Sequence, residues 1–222
     1  MSRIIVITGT DTGVGKTVLT ALLAHHLRTN GTNVAALKPI CSGGRDDART
    51  LHRALDGTLK LDEINPWHFR SALAPLLAAR QEKHQVTLRE LVAHIHQFVV
   101  YSQFVLVEGA GGLLSPLGEG FSTRELISAL SAEIIVVARN QLGVVNHVRL
   151  TLECLPPVIR SRVKVALMCP RNPDKACRTN AALLREFLGD THVIPLPWLN
   201  VRSLEHAASL RRVKVALAAL LA

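Results

Sequence analysis

The feature that most constrains this chain is a glycine-rich turn close to its start. The segment Gly9–Thr17, with the sequence GTDTGVGKT, follows the apolar run Ile4–Ile7 and precedes an amphipathic stretch. This order predicts a strand, a turn whose backbone N–H groups approach phosphate oxygens, and a helix whose positive dipole end points at the same charge. The first glycine lies one residue earlier than in the usual G-x4-G-K-[ST] pattern. We therefore expect a nucleoside triphosphate site, with Lys16 at the β- and γ-phosphates and the Thr17 hydroxyl on Mg²⁺.

Length and composition predict one α/β domain over residues 1–222, because 48% hydrophobic residues can fill a substantial core. No apolar run reaches the roughly eighteen residues of a membrane-spanning helix, so no membrane partner is expected. The N-terminal apolar run leads straight into the phosphate loop, which argues against a cleaved signal peptide. Four scattered cysteines without a C-x-x-C pattern indicate reduced thiols and a cytoplasmic location: Cys41, Cys154, Cys169 and Cys177.

The formal net charge of +9 indicates anionic partners such as nucleotides, small carboxylates or nucleic acid. Much of the positive excess lies from Thr151 onward, where the basic residues are dispersed with hardly any aromatic residues between them. A platform for single-stranded nucleic acid would need those aromatic rings. We therefore interpret the basic residues as a solvated helix surface and expect no nucleic-acid partner.

The hydrophobic pattern alternates between strand-like runs and amphipathic helices. The predicted strands are Ile4–Ile7, Val34–Leu37, Phe104–Val107, Ile134–Ala138, Val163–Met168 and His192–Leu196. The predicted helices are Lys16–Thr29, Asp46–Leu55, Thr87–Val100, Ser122–Leu130, Val144–Leu155, Asn180–Leu188 and Arg202–Ala222. A polar loop is expected over Cys41–Arg45 and irregular structure over Asp56–Val86. Strands apolar on both faces predict a doubly wound, mainly parallel sheet with helices on both faces.

Three chemically distinct groups follow the ends of predicted strands: the loop at 9–17, Lys38 and Glu108. Carboxyl ends of parallel strands meet at one edge of a sheet, so these groups are expected to share one site. Thr17, Glu108 and either Asp46 or Asp47 supply the oxygen ligands that Mg²⁺ prefers. Either aspartate could instead only cap the helix that follows it, and Lys38 could be only an edge charge.

The ordered set of motifs resembles the dethiobiotin synthetase family over nearly the whole chain. The matching segments are Gly9–Thr17, Lys38–Gly43, Asp47-Ala48, Asn65-Pro66, Val107–Gly112, Leu142–His147 and Leu196–Leu199. The resemblance implies a P-loop NTPase fold. It also implies ATP-dependent carboxylation and ring closure of 7,8-diaminononanoate with CO₂, through a carbamate and a carbamic-phosphoric anhydride. Mg²⁺, ATP and a homodimer with shared sites are implied too.

The resemblance also assigns residues. The implied catalytic residues are Lys16 and Lys38, and the implied metal ligands are Thr17, Asp47 and Glu108. Nucleotide-binding residues would be Gly13, Val14, Gly15, Lys16, Thr17, Val18, Asp47, Glu108, Asn172 and Pro197. Substrate-binding residues would be Thr12, Ser42, Gly111 and Asn146.

Two departures from the family pattern and two alternatives accompany this interpretation. Pro170 stands where the family usually has an asparagine for adenine, and Asn172 lies about two positions further on. The loop between Ser42 and Asp47 is also shorter than is typical. One alternative is a ParA- or MinD-like switch ATPase that binds DNA or protein, although such proteins carry an extra lysine where this chain has Asp11. The other is a regulatory module that has kept the fold and lost the reaction.

Overall fold

A computed structural model describes residues 2–160, 162–189, 191–199 and 204–222. Its centre is a six-stranded parallel sheet with the strand order β10-β9-β8-β1-β5-β2. The strands are β1 (Arg3–Gly9), β2 (Val34–Leu37), β5 (Phe104–Glu108), β8 (Glu133–Arg139), β9 (Val163–Met168) and β10 (His192–Leu196). Two small sheets add the parallel pair β3 (Ile40–Ser42) and β4 (Trp67–Phe69) and the antiparallel pair β6 (Pro116–Gly118) and β7 (Phe121–Ser122).

The sheet is parallel because its strands are apolar on both faces and both faces are covered. In β1, Val6 packs into one hydrophobic cluster, while Ile5 and Ile7 pack into the cluster on the opposite face. All three side chains are essentially inaccessible to solvent. The predicted fold class is thus confirmed.

Helices flank the sheet. They are α1 (Lys16–Thr29), α2 (Asp46–Ala54), α3 (Leu61–Ile64), α4 (Pro75–Gln81), α5 (Leu88–Val99), α6 (Thr123–Leu130), α7 (Val144–Glu153), α8 (Pro157–Arg160), α9 (Lys175–Leu188), α10 (Leu204–Ser209) and α11 (Arg211–Leu221). Thr87 and Glu90 form a reciprocal capping box at the start of α5. Among the described residues, no helix is both long and apolar enough to cross a membrane.

Several predicted boundaries were wrong. The region 56–86, predicted as irregular, contains α3, β4 and α4, and β3 extends into the loop that was predicted over Cys41–Arg45. These elements are three to seven residues long, too short for periodicity to reveal. The β6–β7 hairpin and α8 were not predicted for the same reason.

The last two predicted helices also differ from the structure. Helix α9 starts at Lys175, not at Asn180, because the Asp174 side chain accepts a hydrogen bond from the Cys177 N–H and caps the helix there. The final helix is two helices, α10 and α11, separated at Leu210, whose backbone is extended. Its predicted first residue, Arg202, lies outside the described residues.

The strand order explains how the site is assembled. Strand β5 lies between β1 and β2, and all three run in the same direction. Glu108 at the end of β5 therefore sits between the loop that follows β1 and Lys38, which follows β2. The three predicted groups meet because they leave adjacent strands at the same edge.

Candidate functional site

The phosphate loop has the backbone conformation that its glycines predict. Gly13 and Gly15 have φ of +72° and +104°, in the region that disfavours other residues. A Cβ atom on Gly15 would also lie 3.1 Å from Cγ of Met168 at the end of β9. Gly15 caps α1 without any side-chain hydrogen bond, which leaves the first N–H groups of the helix free for an anion.

The Lys16 side chain is buried and folded over this loop. Its Nζ donates a hydrogen bond to the Asp11 carbonyl oxygen at 2.8 Å, and only 6% of the residue is exposed. Burial, followed by the nearby charge of Lys38, lowers the pKa of Lys16 to about 8. The ammonium is therefore held in a position that an anionic ligand would stabilise.

Beside the loop lies a lysine–carboxylate centre, which consists of Thr17, Lys38, Asp47 and Glu108. Nζ of Lys38 lies 2.7 Å from Oε1 of Glu108 and 3.0 Å from Oδ2 of Asp47. It also donates to the Gly109 carbonyl oxygen at 3.0 Å. The Thr17 hydroxyl donates to the same Glu108 oxygen at 2.7 Å, so the centre is directly connected to the phosphate loop.

The charges of this centre support one another. Burial alone would lower the pKa of Lys38, but Glu108 and Asp47 outweigh it and raise that pKa. Burial would likewise raise the pKa of Asp47, but the charge and hydrogen bond of Lys38 outweigh it and lower that pKa. At neutral pH, Lys38 is thus an ammonium and Asp47 a carboxylate, and the Lys38 ammonium lies between Asp47 and the almost completely buried Glu108.

The structure separates the two candidate aspartates. Asp46 projects into solvent, with 89% of its side chain exposed, and pairs with Arg49 one turn along α2. Asp47 faces the lysine–carboxylate centre instead. The alternative in which Asp46 joins the site is therefore disfavoured by geometry.

The donor set of this centre fits a magnesium ion. Within the described part of the chain, no group of three or more His, Cys, Asp or Glu side chains could hold a metal. A cation here would take two carboxylates and a hydroxyl, all of them hard oxygen ligands, and complete its shell with phosphate or water. The Glu108 Oε2 atom is buried and has no hydrogen-bond partner among the described residues, so it is available as a ligand.

A cleft of about 780 Å³ opens beside the centre. Most of the residues singled out by sequence line it: Thr12, Gly13, Gly15, Lys16, Thr17, Val18, Lys38, Ser42, Asp47, Glu108 and Gly111. Sequence reasoning missed Cys41, Ser115 and the segment Ala72–Pro75, which also line it. The Ala74-Pro75 dipeptide is typical of a turn, but no sequence pattern indicates that the Ser42 hydroxyl donates to the Leu73 carbonyl oxygen, at 2.5 Å.

Four predicted residues lie elsewhere. Val14 is buried beneath the loop and packs in the core. Asn172 and Pro197 follow the neighbouring strands β9 and β10, on the side of the loop where Met168 touches Gly15. Asn146 lies on α7, in a separate surface depression that includes Leu150.

Comparison with known proteins gives concordant results. The family model described as an AAA domain matches residues 3–213. The ATP-dependent dethiobiotin synthetase BioD of Anaeromyxobacter sp. (strain Fw109-5) is 41% identical over 178 residues, which cover 78% of this chain and 77% of the relative. The BioD protein of Akkermansia muciniphila is 36% identical over 193 residues, which cover 83% of this chain and 87% of the relative.

Two solved structures resemble the fold at low sequence identity. A ParA family ATPase from Chlorobium tepidum TLS has a TM-score of 0.60 and 13% identity, covering 100% of this chain and 98% of its own. The MinC:MinD cell division protein complex of Aquifex aeolicus has a TM-score of 0.63 and 14% identity, and the match covers 99% of this chain and 94% of the solved one. At such identities the likeness supports the fold alone.

Proposed function

Because the chain belongs to the ATP-dependent dethiobiotin synthetase family, we propose that it converts 7,8-diaminononanoate, CO₂ and ATP into dethiobiotin. This is a cyclo-ligase reaction of biotin synthesis that forms C–N bonds. The observation that carries the proposal is the buried lysine–carboxylate centre connected to the phosphate loop through Thr17. A nucleotide's terminal phosphate and a carboxylated amine would meet at this centre.

The chemistry proceeds in three steps. One amine of the diamine adds to CO₂ and loses a proton, which gives a carbamate. A carbamate oxygen attacks the γ-phosphorus of ATP and displaces ADP, which gives a carbamic-phosphoric anhydride. The second amine then attacks the carbonyl carbon and expels inorganic phosphate, which closes the ureido ring.

The phosphate loop would bind the nucleotide through the N–H groups at the start of α1, with Gly13, Val14 and Gly15 shaping it and Thr17 and Val18 following. Lys16 would neutralise the β- and γ-phosphates, since its ammonium already lies over the loop. Asn172 and Pro197 would contact the base. They follow β9 and β10, and β9 ends at Met168, which lies next to Gly15 of the phosphate loop.

Thr17, Asp47 and Glu108 would hold Mg²⁺, which when bound neutralises charge on the phosphates. Lys38 would stabilise the negative charge of the carbamate and of the transferring phosphoryl group. Thr12, Ser42 and Gly111 line the same cleft and would contact the diamine or its carbamate.

A second copy of the chain would complete the site. Asn146 lies outside the cleft, on α7, so it would contact substrate bound to a partner. Leu150 lines the same depression as Asn146, and Leu114 lines a second depression together with Leu150; the two side chains are 58% and 50% exposed. Leu142, two residues before α7, is 81% exposed. Apolar side chains in such a cluster support a protein interface. We expect a homodimer through the α7 surface.

Leu150→Asp should convert the dimer into a monomer, because it places a charge within this apolar surface. Analytical ultracentrifugation at micromolar concentration would measure the change. The matched control is Val215→Asp on α11, which is 64% exposed on another surface and should leave the dimer intact. A wild-type monomer, or equal dissociation in both variants, would contradict the interface.

Nucleotide binding should take up a proton near pH 8.5. The pKa of Lys16 is about 8, below its ordinary value of 10.5, so roughly three-quarters of this lysine is neutral at that pH. Phosphate favours the ammonium form and raises the pKa again. Calorimetric titration with ADP in buffers of different ionisation enthalpy should show an uptake that falls to about a quarter of a proton at pH 7.5. Zero uptake at pH 8.5 would contradict the buried, depressed lysine.

We also propose a single catalytic domain in the cytoplasm. All four cysteines are free thiols, which suits a reducing compartment. Its partners would be the small-molecule substrates and a second copy of the chain, with neither nucleic acid nor a membrane among them.

Phosphate release from Mg·ATP and bicarbonate, measured with and without the diamine, tests the proposal. The synthetase should release phosphate only when the diamine is present. Release that ignores the diamine but responds to duplex DNA, and weakens steeply with salt, would instead favour the switch-ATPase alternative.

A further inference from the structure

Next to the lysine–carboxylate centre lies a buried asparagine, Asn65, that bonds directly to the backbone of Lys38. Asn65 is 1% exposed and follows α3 directly. Its Nδ2 group faces three carbonyl oxygens, those of Lys38 at 2.9 Å, Pro39 at 3.2 Å and Trp67 at 3.3 Å. Its Oδ1 atom accepts a hydrogen bond from Nε of Arg45 at 3.1 Å. Since one end meets only acceptors and the other meets a donor, the orientation of the amide is determined.

Arg45 connects these hydrogen bonds to the part of the chain that carries Asp47. It immediately precedes α2, the helix that carries Asp47. One guanidinium nitrogen of Arg45, Nη2, donates to the carbonyl oxygens of Leu61 and Asn65 at 3.1 and 2.9 Å at the end of α3. The Leu61 oxygen also accepts from the Asn65 N–H, so Arg45 adds a second donor to the last turn of that helix. The same nitrogen contacts Asp62, whose side chain is 87% exposed.

The segment 61–65 therefore contacts both parts of the chain that supply the centre, the backbone of Lys38 and the start of the helix that carries Asp47. On one side, the Lys38 N–H donates to the Ile64 carbonyl oxygen at 3.0 Å, and the Lys38 carbonyl accepts from Asn65. On the other side, Arg45 fixes the start of α2, two residues before Asp47. The segment between Lys38 and Asp47 contains strand β3, which pairs with β4, and the segment 61–65 adds direct hydrogen bonds to Lys38 and to Arg45.

We propose that Asn65 and Arg45 are positioning residues, which hold the backbone of Lys38 and the first turn of α2 so that the Lys38 ammonium meets both carboxylates. The inference deepens the proposed function and rests on it for its catalytic consequence. The position of Lys38 can be tested without metal or substrate, because the proposed contacts involve only residues of this chain. A displacement of about 1 Å at a reacting group can lower a rate by about a hundredfold.

Two variants test the contacts of Asn65 and those of Arg45 separately. Asn65→Asp keeps the volume of the side chain and an acceptor for Arg45, but sets a carboxylate oxygen against the Lys38 carbonyl. Arg45→Gln keeps the bond between Asn65 and Lys38 and releases the start of α2. Arg45→Lys retains the charge without the forked donors. Arg49→Gln is the matched control. Arg49 lies on α2, and its guanidinium pairs with the exposed Asp46 instead of with the segment 61–65.

The first readout is the labelling rate of Lys38 by an amine-reactive reagent in metal-free protein, measured by peptide mass spectrometry against the exposed Lys83. Lys38 should be labelled at least about fivefold faster in Asn65→Asp and Arg45→Gln, and at the wild-type rate in Arg49→Gln. The second readout separates kcat from KM at a temperature where every variant is folded. The same two variants should lose about 10–100-fold in kcat, with the KM for ATP within about twofold. Arg45→Lys should recover part of the loss.

A purely structural role predicts another pattern, namely a lower melting temperature with unchanged Lys38 labelling and unchanged kcat in the folded protein. That pattern would overturn the proposal, as would an equal effect of Arg49→Gln. If the wild-type protein made no dethiobiotin, the proposed function would fail. Faster Lys38 labelling in the two variants would then still support the positioning network.

Discussion

Lys38→Ala is expected to lower kcat by at least about a hundredfold and to leave ADP affinity within about threefold of wild type. A preorganised cation at a developing charge is worth about 3 kcal/mol in a water-excluded site. Lys38 is such a cation, since it is buried and paired with Glu108 and Asp47 at hydrogen-bond distance. The phosphate loop does not depend on it, because Lys16 is held by Asp11 instead. Single-turnover product formation and calorimetric ADP titration measure the two effects separately.

Lys16→Ala is the comparison variant, and it should lose ADP affinity first. If Lys38→Ala weakened ADP binding as strongly as Lys16→Ala does, the assignment of separate roles to the two lysines would be wrong. An unchanged kcat in Lys38→Ala would remove Lys38 from the reaction altogether.

Glu108→Leu is expected to lower the free energy of unfolding by about 3–5 kcal/mol at pH 7 without metal. Removing one partner of a buried ion pair is strongly destabilising because the other charge stays in the interior. Here Lys38 would keep only Asp47, which is half-exposed and a weaker counter-ion than the buried Glu108. The Thr17 hydroxyl would also lose its acceptor. Chemical denaturation, followed by circular dichroism, measures the loss.

The double variant Glu108→Leu with Lys38→Met is the control. Replacing both charges by apolar side chains of similar size removes the unpaired charge, so stability should return to within about 1 kcal/mol of wild type. Asp47 remains half-exposed in this variant and can be hydrated. If the double variant were as unstable as the sum of the two single ones, the pair would not be coupled in the way the structure describes.

The sheet could be predicted from the sequence because its strands are continuous apolar runs separated by long amphipathic helices. Such runs fix both the element type and the parallel arrangement. Short elements carry no such signal. The strand Ile40–Ser42 pairs with Trp67–Phe69, and neither is long enough to display a period. The break at Leu210 also lies within a continuous helical pattern, so nothing in the sequence marked it.

The site was predictable where chemistry follows a strand end. The loop at 9–17, Lys38 and Glu108 leave adjacent strands, so topology alone brings them together. Asp47 could not be chosen over Asp46 in this way, because their selection depends on the rotation of α2. The contribution of Asn65 and Arg45 depends on hydrogen bonds between segments about twenty residues apart, which no local pattern encodes.

Incorporation of ¹³C-bicarbonate into dethiobiotin by the purified protein is the most direct test of the proposed synthetase activity. The reaction would contain Mg·ATP and 7,8-diaminononanoate, with product followed by mass spectrometry alongside released phosphate. We expect one labelled carbon in each product molecule, one phosphate released for each product, and no product when ATP or the diamine is omitted. ATP hydrolysis without labelled dethiobiotin would contradict the proposed activity.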